Sequence, residues 1–170
     1  MTEPVLSTEG ERPVIRLERR LTDPPAVVWQ SLTEPEKLAT WFPCQILVDG
    51  GTWRVGAALT LPFPPEVIEV TLSGEVLELD APHLLAYTWG PETLRFELLD
   101  DDGGTRLILT DELDPSAAAR NAAGWEDCLD RLEGDISDKA TWRPRFERYA
   151  ARFGPIIGPQ DGPPKGYEAV

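Results

Sequence analysis

Apolar and polar side chains alternate from Val14 to Leu21, with Ile15, Leu17 and Leu21 on one face and Arg16, Glu18 and Arg20 on the other. That period of two predicts a half-buried strand. Asp23 then offers an N-cap and Pro24 a first helical position for a short helix carrying Val27, Val28, Ser31 and Leu32. A second short helix, Glu36 to Thr40, follows Glu34-Pro35 and ends at Trp41-Phe42-Pro43. From Gln45 to Leu113 the chain is punctuated by turn residues: Asp49-Gly50-Gly51, Pro62 to Pro65, Asp80-Ala81-Pro82, Gly90-Pro91 and Asp100 to Gly104. Short antiparallel strands are expected between them. The clearest pair is a hairpin in which Leu94, Phe96 and Leu98 alternate with Thr93, Arg95 and Glu97, and Leu107 and Leu109 alternate with Arg106 and Ile108.

Asp114-Pro115 supplies a cap and first-turn proline for a long helix that Gly134 stops, with Trp125, Leu129 and Leu132 on one face. A further amphipathic segment, Thr141 to Phe153, sets Phe146, Tyr149 and Phe153 on one side. The order is strand, two short helices, a meander of strands and a long helix, with no internal repeat. Such a chain makes a curved sheet around a helix, and the space between is either core or pocket. Residues 1–12 are poor in apolar side chains and residues 154–170 hold four glycines and four prolines, so both ends read as tails around a domain at 13–153.

At 170 residues the chain suits a single core. Sixteen basic residues against 30 acidic ones give a formal charge of −14. That balance repels phosphate backbones and anionic membranes, so no nucleic-acid partner is expected. No run of about 18 apolar residues exists and Met1 to Arg12 carries no signal-like stretch, so no membrane insertion is expected either. Cys44 and Cys128, the two cysteines, lack the spacing of a disulfide framework or zinc site, which fits a cytoplasmic protein without metal or cofactor.

Several fragments together resemble the START-like helix-grip superfamily, in the branch related to the C-terminal domain of the activator of Hsp90 ATPase. They are Val28-Trp29, Leu32-Thr33-Glu34-Pro35-Glu36-Lys37-Leu38, Trp41-Phe42, Gly74-Glu75-Val76, Leu85-Ala86-Tyr87-Thr88-Trp89, Gly104-Thr105-Arg106-Leu107 and Gly124-Trp125 with Cys128-Leu129. The resemblance implies an α+β helix-grip fold: about six or seven antiparallel strands, curved around a long C-terminal helix, with two short helices after the first strand. It also implies an apolar cavity, and a superfamily that spans lipid binders, cyclases and co-chaperones. Fold membership therefore does not fix function. The family often places a histidine where this chain has Asp111, so roles that need an imidazole there do not carry over.

The residues expected to face a ligand are Trp41, Phe42, Tyr87, Trp89, Phe96, Leu107, Leu109, Asp111, Trp125 and Leu129. The same rings would serve as core, and the partners of the Trp89 and Trp125 indole N–H groups distinguish the two cases. Asp111 shares the face of Leu107 and Leu109, where burial would raise its pKa. His83 stands in a turn, and no nucleophile motif, phosphate loop or dinucleotide fingerprint occurs. Glu126, Asp127, Asp130 and Glu133 read as a solvated helix face, and Arg143, Arg145, Arg148 and Arg152 as partners for the chain's own acids. Neither cysteine has an activating base.

Three functions remain in order. The first is a small-molecule binding domain for an apolar or aromatic ligand, as monomer or homodimer. The second is a co-chaperone-type domain that meets a protein partner through the Phe146, Tyr149, Phe153 segment. The third is a cyclase- or hydratase-like enzyme using Asp111, a reading short of a second catalytic group.

Overall fold

The computed structural model describes residues 3–135 and 141–163. Eight strands form one antiparallel sheet: β1 (Val5–Ser7), β2 (Val14–Leu21), β3 (Leu47–Val48), β4 (Ala58–Pro62), β5 (Thr71–Asp80), β6 (Leu84–Trp89), β7 (Glu92–Asp101) and β8 (Gly104–Glu112). Their order across the sheet is β1-β2-β8-β7-β6-β5-β4-β3. All but one neighbour pair is a sequential hairpin, and β2 joins β8 to place the first long strand beside the last. Two of the eight, β1 and β3, have three and two residues, too short for an alternating pattern to declare them. Part of the expected N-terminal tail is thus an edge strand, with Val5, Leu6 and Ser7 opposite Arg16, Ile15 and Val14.

Helices α1 (Pro25–Thr33) and α2 (Pro35–Leu38) follow β2 as expected, one residue later at the first cap. Pro24 is the N-cap, and Pro25 takes the first turn, where a missing N–H costs nothing. Helix α3 (Ala118–Leu132) is preceded by a 3₁₀ turn at Pro115–Ala117, whose start is capped by the Asp114 carboxylate accepting from the Ser116 N–H. Gly134, at φ 87°, takes the left-handed conformation just past its end. The amphipathic segment beyond forms α4 (Trp142–Ile157), which runs into the expected C-terminal tail. Gln160 and Asp161 then return to the start of α3, where the Gln160 amide accepts from the Ala119 N–H and the Asp161 N–H donates to the Ser116 carbonyl. The remainder of that tail, from 164 on, lies outside the described residues.

The concave face of the sheet carries Ile15, Leu17, Leu94, Phe96, Leu98, Leu107 and Leu109, all essentially without solvent exposure. Trp125 and Leu129 project onto them from α3. A register shift between Val76 and Glu78 bends β5 and sharpens the curl toward β4. Gly74 permits the close approach there, because a Cβ would stand 2.0 Å from the Thr88 carbonyl oxygen.

Helix α3 is covered on both sides, and this corrects the expectation of a solvated acidic face. Glu126 is buried, accepting from the Tyr149 hydroxyl of α4. Arg145 of α4 pairs with Asp127 and, at 2.8 Å, with Asp130. The other oxygen of Asp130 takes Arg19 Nη1 at 2.8 Å, and Arg19 also reaches Glu133 at 3.2 Å. Asp130 therefore ties β2, α3 and α4 together through two guanidinium groups. The acids form a helix-to-helix seam, and three of the four expected arginines pair with the chain's own carboxylates: Arg145 with the acids of α3, and Arg152 and Arg148 with Glu3.

Candidate functional site

The strand alternation that buries Leu94 and Leu109 carries one residue further to Glu92 and Asp111, at the end of the sheet nearest the start of α3. Asp111 is fully buried and Glu92 is 8% exposed. Across from them α3 presents Asn121 and Trp125, one turn apart on the same face. The Trp125 indole donates to Asp111 Oδ2 at 2.9 Å. Asn121 Nδ2 donates to the same oxygen at 3.1 Å and to Glu92 Oε1 at 2.7 Å. The remaining oxygens, Asp111 Oδ1 and Glu92 Oε2, are buried and meet no donor among the described residues.

The two carboxyl groups are neighbours across the β7–β8 pairing, and burial pushes both pKa values up. Asp111 is raised further, by the apolar surroundings first and then by the Glu92 charge. Glu92 is eased by Asn121 and by the positive charge of Arg120 and Arg12. With both pKa values raised by burial and by each other's charge, the pair favours holding one shared proton over carrying two negative charges. Chemically the pair can hold or release a proton, or accept donors from another molecule.

Aromatic rings adjoin this pair. Trp125 contacts Trp89 and Phe42, with centroids 5.3 and 5.6 Å apart. Phe42 leads on to Trp41, Trp41 to Phe96, and Phe96 to Tyr87, each step between 5.2 and 6.2 Å. The expected ligand-facing residues are thus brought to one side of the sheet. Leu107, Leu109 and Leu129 sit deep among them at 1% exposure or less. Trp89 alone is half-buried, and Phe63, unforeseen, lies against it at 5.7 Å. The Trp89 indole points to Cys44 Sγ at 3.4 Å, and the Trp41 indole to the Ser31 carbonyl at 2.8 Å.

Sequence reasoning missed Glu92 and Asn121. Glu92 was one step beyond the alternation through Leu94, Phe96 and Leu98. Asn121 is four residues before Trp125, the spacing that stacks helical side chains. The cysteines match expectation: burial pushes Cys44 to about 11 and Cys128 to about 12. His83 is exposed, its Nδ1 on the Leu98 carbonyl at 2.8 Å. Among the described residues no three His, Cys, Asp or Glu side chains are arranged to hold a metal, and no helix is long and apolar enough to cross a membrane.

A cleft of about 220 Å³ opens elsewhere, near the C-terminal end of α3, between Arg20, Asp23, Ser31 and Glu133. None of the ten expected ligand-facing residues lines it.

The profile of a family described as activator of Hsp90 ATPase homolog 1-like protein matches residues 23–135. Among solved structures, a conserved protein of unknown function from Enterococcus faecalis superposes with a TM-score of 0.73 at 20% identity, over 90% of this chain and 91% of that one. CalU16 from Micromonospora echinospora gives 0.66 at 22% identity, over 89% and 94%. An AHSA1-like protein from Aeromonas hydrophila gives 0.59 at 19% identity, over 72% and 91%. These likenesses establish the helix-grip fold. No curated protein matches the chain by sequence.

Proposed function

Because the chain belongs to the activator of Hsp90 ATPase homolog 1-like family, we propose that it is a cytoplasmic binding domain for a small apolar or aromatic molecule, held against Trp89, Phe42 and Trp125. The observation that carries this reading is Trp89. Its ring is half-buried, yet it begins an unbroken series of ring contacts running inward to a buried carboxyl pair. An apolar body would rest on the rings and a polar group would reach Asp111 and Glu92, the mixture of surfaces typical of small-molecule sites. The interior rings pack on one another, so entry proceeds by displacement of Trp89 and Phe63, the two half-buried members.

A docking role for α4 has less to recommend it, since Tyr149 and Phe153 are buried, Tyr149 against Glu126 of α3. Native mass spectrometry of protein purified from its own host tests the proposal, combined with tryptophan-fluorescence titration using aromatic and aliphatic compounds. A retained mass lost on denaturation, and a saturable quench abolished by Trp89→Ala, are expected. Apo mass throughout and no saturable response would overturn it.

A further inference from the structure

The Asp111–Glu92 pair has a charge logic that singles out one class of ligand. Two buried acceptor oxygens lack protein donors, Asp111 Oδ1 and Glu92 Oε2, while the other two are held by Asn121 and Trp125. The site adjoins the Trp125 indole, whose ring packs on Trp89 and Phe42 and so offers an apolar wall beside the pair. The whole chain carries −14, which draws cations toward it. Glu92 opens β7 directly after the exposed Pro91, so the pair lies one residue in from the surface. Resting on the ligand-binding reading above, we propose that the Asp111–Glu92 pair receives the protonated amino group of a ligand with an aromatic body, in exchange for the proton the two carboxyls share.

The exchange balances. The empty pair holds one proton and has a net charge of −1; on binding, that proton leaves to solvent and an ammonium group of charge +1 enters between two carboxylates. The net charge of the buried site stays at −1, so the cation is taken up without adding charge to a low-dielectric place. Ammonium N–H groups then donate to Oδ1 and Oε2. A carboxylate ligand would instead add a negative charge, and an alcohol could satisfy at most one oxygen as donor. The charged groups that face the pair are Arg120 from α3 and Arg12 ahead of β2, both acting on Glu92. The Arg12 guanidinium is itself occupied at 2.8 Å by the Pro91 carbonyl. Ile15, opposite Asp111 on β2, brings no charge.

The test uses three probes with one phenyl body: phenethylamine, phenethyl alcohol and 3-phenylpropionate. Calorimetric titration of the full chain at pH 7 in two buffers of different ionisation enthalpy gives both affinity and protons released. The amine is expected to bind at least about tenfold tighter than the other two, as hydrogen bonds to charged groups warrant, with close to one proton released. Glu92→Gln and Asp111→Asn, each checked for native circular dichroism, should erase both the amine's preference over phenethyl alcohol and the proton release. Equal binding of all three probes, or amine binding without proton release, would overturn the amine assignment and leave the ligand-binding reading standing. Failure of every probe to bind at millimolar concentration would count against both.

Discussion

Removing the Arg145 guanidinium tests how the helices are joined. Arg145 meets Asp127, Asp130 and, at 4.0 Å, the buried carboxylate of Glu126, and its own side chain is only 15% exposed. Arg145→Met keeps the aliphatic contact with α3 and deletes the charge. It leaves Glu126 buried with the Tyr149 hydroxyl as its donor, and sets three carboxylates within two turns of one helix face without their shared cation. Breaking a buried pair from one side costs about 3 to 5 kcal/mol, and the partial exposure of Arg145 argues for the lower figure, about 3. With a urea dependence of about 2 kcal/mol per molar, the midpoint should fall by about 1.5 M. Adding Glu126→Gln removes the stranded charge and should restore at least about 1 kcal/mol. The loss should persist in 1 M NaCl, where only charges beyond about 3 Å through solvent are screened. Midpoints by circular dichroism for wild type, both single variants and the double give the cycle. A loss below about 1 kcal/mol, the value of an exposed ion pair, would show that the acidic face is solvated and the seam misread.

Three other outcomes are expected. Because the native pKa of Asp111 is raised, the folded chain holds a proton that the unfolded chain releases above about pH 4; this contribution is full below that pH and is lost as pH rises toward the native value. Relative to Asp111→Asn, wild type should therefore lose about 1.4 kcal/mol of stability per pH unit across the window, and parallel pH–stability curves would contradict a shared buried proton. Gly74→Ala should abolish the folded state at 37 °C, since the new methyl must displace the Thr88 carbonyl of a paired strand; an unchanged thermal midpoint would contradict that close approach. Iodoacetamide at pH 8 should label neither Cys44 nor Cys128 in the native protein and both in urea, because burial holds the thiols protonated at about 11 and 12; native labelling read by mass spectrometry would show an open path to them.

Much of the fold was legible because the sheet alternates cleanly. Leu94, Phe96 and Leu98, facing Leu107 and Leu109, declare one apolar face, and Asp111 was rightly set on it. Strands β1 and β3 escaped because two or three residues carry no period. The acidic run of α3 was misjudged for a different reason. Polar side chains opposite an apolar stripe normally face water, and only the later arginines and Tyr149, in a segment whose docking no local pattern reveals, turn them into a seam. The carboxyl pair was half-visible for a similar reason. Asp111 follows from its own strand, while its partners Glu92 and Asn121 come from a neighbouring strand and a helix, joined to it only by tertiary packing.

The six tryptophans provide the most direct measurement. A ¹H–¹⁵N spectrum resolves their indole N–H groups, each with a distinct environment: Trp125 on Asp111, Trp89 on Cys44, Trp41 on Ser31 and Trp53 on the Thr33 carbonyl among them. Titration with phenethylamine should shift Trp125 and Trp89 together and saturate, leaving Trp53 in place. Saturable shifts confined to Trp53 or Trp142, with Trp125 and Trp89 unmoved, would place binding elsewhere and contradict the proposed site.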